Sequence, residues 1–197
     1  MQVNLYEILD QIEIRAGMYL GPNHNFKSLH SFVTGFATAA SSKQLQAEKY
    51  PDFNLFSIWL LGHLKRNFGL SAGWYWQIHN RNPTDDDRAF KEFFQFLREF
   101  KKTKLKRKEL TLDDESIEFN RKNAKRFRLV DGKQIRVRTK PVKIILTSFS
   151  NSATLILDYV DKNGKKVDGG WEIGTAETRE ALSRSFGKIS GRWKKVE

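Results

Sequence analysis

The sequence predicts an α+β protein in which a helical half precedes a small antiparallel sheet with a C-terminal helix. Up to about residue 104, apolar residues recur every three or four positions, as on one face of a helix. Beyond residue 125 they alternate every second position, as in a strand. A run of charged residues separates the two patterns. We therefore predict a helical domain at 1–104, a charged connector at 105–124 and a basic sheet region at 125–197.

About five helices are expected in the first half. Their apolar stripes begin near Leu5, Leu29, Phe53, Trp74 and Phe90. The last helix has the clearest beginning, because Thr84 is a candidate N-cap and the run Asp85–Asp87 suits the positive end of the helix dipole.

Strands are expected throughout the sheet region. Two of them flank Asp131-Gly132, a dipeptide typical of a two-residue hairpin turn. The segments 142–149 and 153–160 are rich in Ile and Leu, so we expect them at the centre of the sheet. A strand at 167–173 and a final helix that begins near Thr175 complete the region.

Composition limits the chemistry and the compartment. The chain has no cysteine, which excludes a disulfide framework, a thiolate metal site and a cysteine nucleophile. Apolar runs such as 58–61 are far too short to cross a membrane, and the N-terminus lacks the pattern of a signal peptide. We therefore expect a cytoplasmic protein without a membrane partner.

Residues suited to catalysis are not grouped in the sequence. The four histidines show no metal-ligand spacing, and no glycine-rich phosphate loop is present. Carboxylates at 85–87 and 113–118 are interpreted as a helix cap and as charge balance. We expect no catalytic residue, no metal and no cofactor, and hence a protein that is not an enzyme.

One segment is similar to part of an ATPase family. Arg15-Ala16-Gly17-Met18-Tyr19-Leu20-Gly21 is similar to the Arg-Pro-Gly-Met-Tyr-Ile-Gly segment of the gyrase B type ATPases. In that family a following helix supplies a Glu and an Asn that handle water and Mg²⁺, and residues 31–40 contain neither. We interpret the segment as a helix that ends at a glycine turn, with Met18 and Tyr19 buried.

A second pattern extends over residues 5–100. Its motifs are Leu5-Tyr6, the 15–21 segment, Phe53-x-x-Phe56-x-x-Trp59, Gly73-Trp74-x-x-x-Ile78 and Asp86-x-x-Ala89-x-x-x-Phe93-Phe94-x-x-Leu97-x-Glu99-Phe100. This order resembles a family of small bacterial proteins similar to the immunity proteins of polymorphic and contact-dependent toxin systems. The resemblance implies a non-enzymatic antitoxin that binds and neutralises a cognate toxin domain. Ala16 replaces the proline of the usual pattern, and the basic second half lies outside the resemblance.

The net charge of +12 lies in the second half of the chain. Acidic and basic residues are equal in number over 1–100, so residues 101–197 carry the whole excess. Such a concentration indicates a surface that meets an anionic partner. That partner is a toxin domain with an acidic surface or, alternatively, nucleic acid.

The predicted hairpin supplies the main candidate surface. The two-residue period predicts that Phe127, Leu129, Ile135 and Val137 face one side and that the four arginines between them face the other. Lysines near the domain boundary and basic residues at the C-terminus add to this charge. The candidate partner-binding residues are Arg126, Arg128, Arg136, Arg138, Lys101, Lys102, Lys104, Arg192, Lys194 and Lys195.

The missing Glu and Asn lead to a first prediction. Isothermal titration of the protein with ATP and Mg²⁺ should show no heat of binding, because nothing in the sequence replaces the residues that hold the metal and the phosphates. Saturable binding in the micromolar range would contradict this expectation.

Overall fold

The computed structural model describes residues 4–64, 73–111, 126–130, 133–137, 142–173 and 194–195. It confirms the α+β class, with helices in the first half and antiparallel strands in the second. The chain divides into two compact units. The first consists of residues 1–104 with 150–152, and the second of residues 105–149 with 153–197.

Six helices and one 3-10 turn form the described part of the first unit. The helices are α1 (Leu5–Leu20), α2 (Phe26–Ala39), α3 (Ser42–Leu45), α4 (Phe56–His63), α5 (Trp74–His79) and α6 (Asp86–Lys101). The 3-10 turn, Phe53–Leu55, leads into α4. The four-residue α3 is the helix that the sequence did not predict. None of these helices is both long and apolar enough to cross a bilayer.

Side-chain caps fix where the long helices begin. The Asn4 side chain accepts a hydrogen bond from the Glu7 amide, and the Glu7 carboxylate accepts one from the Asn4 amide, which forms a capping box. At α6 the N-cap is Asp85, whose carboxylate accepts a hydrogen bond from the Arg88 amide. The prediction of Thr84 as the N-cap is wrong, because Asp85 is the residue whose side chain binds an amide of the first turn.

The core of the first unit is aromatic, and Phe56 lies at its centre. Phe56 is fully buried, and four further rings surround it with centroids 5.3 to 5.9 Å away. These rings belong to Phe53, Trp59, Phe93 and Phe100. Aromatic pairs at such distances contribute about 0.5–1.5 kcal/mol each beyond the area that they bury. The motif residues of the 3-10 turn, α4 and α6 therefore pack against one another.

Asn151 connects α4 to the end of α6 through its side-chain amide. Its Oδ1 accepts hydrogen bonds from the indole nitrogen of Trp59 and from the hydroxyl of Thr103. Its Nδ2 donates to the backbone oxygen of Glu99. Ser152 donates to the backbone oxygen of Trp59. These bonds explain why residues 150–152 belong to the first unit.

The second unit contains a five-stranded sheet and a separate hairpin. The strands are β1 (Leu105–Thr111), β2 (Arg126–Val130), β3 (Lys133–Val137), β4 (Lys143–Phe149), β5 (Ser152–Val160), β6 (Lys166–Ile173) and β7 (Lys194–Lys195). The large sheet has the order β6-β5-β4-β1-β7, and β2 pairs with β3 alone. The central position predicted for 142–149 and 153–160 is confirmed, as is the strand predicted at 167–173. The helix predicted from Thr175 lies outside the described residues.

The structure corrects the first part of the connector that was predicted at 105–124. Residues 105–111 form β1, which pairs with β4 at seven successive positions from Leu105 opposite Phe149 to Thr111 opposite Lys143. Ladder bonds involve only backbone groups, so a charged segment can form a strand where its side chains reach water. Lys106 and Arg107 are indeed exposed. Residues 112–124 lie outside the described part of the chain.

The Asn151 contacts lead to a prediction about stability. Asn151→Ala should lower the free energy of unfolding by about 1–3 kcal/mol, because the buried indole N–H of Trp59 loses its acceptor. The measurement is urea denaturation followed by tryptophan fluorescence. Asn54→Ala, at an exposed position in the 3-10 turn, serves as the control and should change stability little. Equal stability of the two variants would contradict the prediction.

Candidate binding surface

The first three turns of α1 are anchored in the core of the first unit. Leu5, Tyr6, Leu9 and Ile12 are buried at helical spacing. The Tyr6 hydroxyl donates a hydrogen bond to the backbone oxygen of Pro51. Burial raises the pKa of Tyr6 well above its usual range, and the nearby Asp52 and Tyr50 raise it further. This phenol therefore acts as a neutral donor at any physiological pH.

Two ion pairs hold the flank of α1 against α6. Asp10 pairs with Lys101, and Glu13 pairs with Arg98. The Lys101 ammonium also lies 5.5 Å from the centre of the Tyr6 ring. The Lys101 side chain is only 12 % exposed. The charge of Lys101 is therefore used within the unit, and its binding to a partner stays a prediction.

Beyond Ile12, α1 leaves the core. Arg15 has the non-helical angles φ −137° and ψ 51°, which kink the helix. After the kink, Met18 is 75 % exposed and Tyr19 is 42 % exposed, and Ile14 just before it is 74 % exposed. The interpretation of Met18 and Tyr19 as a buried pair is wrong, because the kink ends the buried stripe. The four side chains Ile14, Arg15, Met18 and Tyr19 are called the α1-end surface below.

The α1-end surface combines apolar area with one positive charge. Arg15 is exposed, and no acidic side chain in the described part of the chain pairs with it. The nearest carboxylates along α1, those of Asp10 and Glu13, already have partners on α6. Gly21 then ends the helix with φ 88°, a conformation that favours glycine. The surface thus presents aliphatic, thioether and phenol groups together with a guanidinium that has no carboxylate partner in the described part of the chain.

The remaining lysines at the end of α6 are free of side-chain partners among the described residues. Lys102 is exposed and caps α6 at its C-terminus. Lys104 is exposed, and its backbone amide donates to the Ser150 hydroxyl. These two predicted residues are therefore available to a partner. Arg138 and Arg192 lie outside the described residues, and Lys194–Lys195 form β7.

The register of the hairpin separates the arginines that the sequence placed together. Arg126 is opposite Val137, Phe127 is opposite Arg136, and Arg128 is opposite Ile135. Residues directly opposite each other in an antiparallel pair share a face. Arg126 and Arg128 therefore lie on the face of Ile135 and Val137, whereas Arg136 lies on the face of Phe127. The prediction that these arginines share one face is wrong.

The register of the two strands is the physical reason for this difference. Val130 is opposite Lys133, so every odd-numbered position of one strand pairs with an even-numbered position of the other. The apolar residues of both strands have odd numbers and cannot share a face in that register. Alternation within each strand was predicted correctly, but the register decides which faces of the two strands combine.

His63 is a partnered residue that the sequence did not reveal. Its Nε2 lies 3.0 Å from a carboxylate oxygen of Glu99, and its Nδ1 lies 3.2 Å from the backbone oxygen of Asn151. The ring also stacks on Trp59 with centroids 4.5 Å apart. Both ring nitrogens thus have oxygen partners within the unit. The partners come from distant parts of the chain, and no local spacing could indicate them.

A second aromatic cluster lies between α2 and α5. Tyr75 contacts His30 at 4.4 Å and His79 at 5.5 Å between ring centroids. Burial lowers the pKa of His30, which favours the neutral imidazole. Trp76 extends from this cluster into solvent. Among the described residues, no three His, Asp or Glu side chains are grouped so that they could hold a metal ion.

Comparison of the chain with protein-family models, with curated proteins and with solved structures finds no match.

The hairpin register can be tested by crosslinking, because the chain has no native cysteine. Phe127→Cys with Arg136→Cys should form a disulfide on oxidation, since the two positions are opposite each other. Phe127→Cys with Val137→Cys is the matched control, and it should keep free thiols because its positions lie on opposite faces. Loss of free thiols, measured after oxidation, distinguishes the pairs. Crosslinking only in the control would restore the shared arginine face.

Proposed function

We propose that the protein is a non-enzymatic immunity protein that acts in the cytoplasm by binding and neutralising a toxin domain. The exposure of the α1-end surface carries this proposal. The 15–21 segment is one of the motifs in the resemblance to immunity proteins, and its Met18 and Tyr19 are exposed. Core packing therefore does not explain these two residues. Contact with another molecule would explain why they are exposed.

The composition of the α1-end surface suits a protein partner. Aromatic residues, Met and Arg are enriched at the centres of protein interfaces. The unbranched Met18 side chain adapts to the shape of a pocket, and Tyr19 adds a large rigid area with a polar tip. Single exposed apolar residues are common on protein surfaces, but this surface has three of them around one kink.

Charge indicates what the partner presents. Arg15 has no carboxylate partner among the described residues, and the whole chain has a net charge of +12. A toxin domain with an apolar cleft bordered by carboxylates would pair with this guanidinium and cover Met18. The positive charge would also speed the encounter with an acidic surface. No cofactor and no catalytic group are needed for such a function.

Protection of cells from a toxin tests the proposal. Cells that express, one at a time, the C-terminal domains of toxins encoded beside this gene should grow only when this protein is also present. Met18→Asp should abolish the protection, because it places a carboxylate in the apolar contact. We expect a loss of about 2 kcal/mol or more, roughly thirtyfold in Kd, measured by titration of the purified toxin domain.

Gln95→Asp provides the matched control for that variant. Gln95 is exposed on α6, so the substitution adds the same charge to the same unit without touching the α1-end surface. It should protect cells as well as the unchanged protein does. Full protection by Met18→Asp would show that α1 is not the contact. A failure of the unchanged protein to protect against any of these domains would overturn the proposed function.

A further inference from the structure

A tight turn through Lys162, Asn163 and Gly164 leads from β5 to β6. The Asp161 amide donates a hydrogen bond to the backbone oxygen of Lys165, and the Gly164 amide donates one to the backbone oxygen of Asp161. Gly164 has φ 78°, in the left-handed region. This arrangement is that of a type I turn followed by a left-handed glycine, a common form of a three-residue hairpin loop. The backbone of Asn163 is therefore fixed at the second central position of the turn.

The Asp161 side chain stabilises this turn. Its Oδ1 accepts hydrogen bonds from the backbone amides of Asn163 and Lys165, both at 2.9 Å. Aspartate at the first position of a turn binds the backbone two residues on in this way. One carboxylate oxygen thus holds the backbone on either side of the Asn163–Gly164 peptide bond.

Asn163 and Gly164 are the only Asn-Gly pair in the sequence, and Asn163 is exposed. Such a pair can react without an enzyme, because glycine has no side chain to hinder the attack of its amide nitrogen on the neighbouring side chain. The Gly164 nitrogen forms a bond to Cγ of Asn163, and the bond from Cγ to Nδ2 breaks. The proton of the Gly164 amide leaves with the side-chain nitrogen as ammonia. Water then opens the five-membered ring at either of its two carbonyl carbons, which gives aspartate or isoaspartate.

The closed turn opposes this reaction. The ring can close only when the Gly164 nitrogen and Cβ of Asn163 are eclipsed about the bond between Cα and the carbonyl carbon of Asn163. At the second central position of a type I turn ψ is about 0°, which eclipses the two backbone nitrogens instead. The Gly164 amide is also engaged in its hydrogen bond to the Asp161 backbone oxygen, at 3.0 Å. The turn must therefore open before Asn163 reacts.

We infer that Asn163 is a site of spontaneous deamidation and that the Asp161 side chain limits its rate by holding the turn closed. The reaction replaces a neutral amide with a carboxylate between the exposed residues Lys162 and Lys165. It lowers the net charge of the chain by one, and the isoaspartate product lengthens the backbone of the turn by one carbon. The inference does not depend on the proposed immunity function.

Mass spectrometry after incubation in mildly alkaline buffer tests the inference. Deamidation replaces an NH2 group with OH, and fragmentation assigns the mass gain to Asn163. The folded protein should react at least about tenfold more slowly than the same chain in guanidinium chloride. Asp161→Ala should react about tenfold faster than the unchanged protein, a factor that matches the loss of the two hydrogen bonds to Oδ1.

Two further variants separate the hydrogen bonds of Asp161 from its charge and from the loss of a carboxylate as such. Asp161→Asn keeps a side-chain oxygen that can accept the same bonds but removes the charge, so it should react as slowly as the unchanged protein. Asp85→Ala removes a carboxylate that binds a backbone amide of α6, in the first unit. It should leave the rate at Asn163 unchanged.

Three results would overturn the inference. Equal rates in the folded protein and in denaturant would show that the turn gives no protection. An unchanged rate in Asp161→Ala would show that the carboxylate does not hold the turn. Acceleration in Asp161→Asn would assign the protection to charge instead of hydrogen bonds. The first and the last of these tests remain decisive even if Asp161→Ala unfolds.

Discussion

The ring contacts around Phe56 are the constraint on which the first unit depends. They join the 3-10 turn, α4 and α6. Phe53 also contacts Tyr6 of α1, with the two ring centroids 6.0 Å apart. Tyr6 in turn holds the beginning of α1, whereas no ring contact among the described residues involves the end of this helix. The rigid core therefore ends at Ile12, and the kink at Arg15 directs the next residues away from it. Exposure of the α1-end surface is a consequence of where the aromatic packing stops.

Core positions of α1 could be predicted from the sequence, but its exposed end could not. Leu5, Leu9 and Ile12 recur at helical spacing because one face of the helix packs against the core. Met18 was assigned to the core on its hydrophobicity alone. Hydrophobicity shows that a side chain gains by leaving water, but it does not show whether the neighbour is the same chain or another molecule. Here the kink at Arg15 leaves Met18 in solvent, and no proline in the sequence indicates that kink.

The hairpin shows a second limit of local patterns. Period-two alternation correctly predicted that 126–130 and 133–137 are strands. Which faces combine depends on the register, and the two-residue turn that the sequence predicts at Asp131-Gly132 already implied that register. By contrast, the contact of His63 with Glu99 joins α4 to α6 and has no local signal. Register can be deduced from turn length, whereas contacts between distant helices require the packed structure.

The proposed contact at the α1-end surface would depend mainly on the burial of apolar area. Contact at the α1-end surface removes apolar area from water at about 25 cal/mol per Å², and it involves one charge, that of Arg15. Ionic strength should therefore change its dissociation rate little, whereas the association rate, which the net positive charge of the chain would raise, should fall as salt is added.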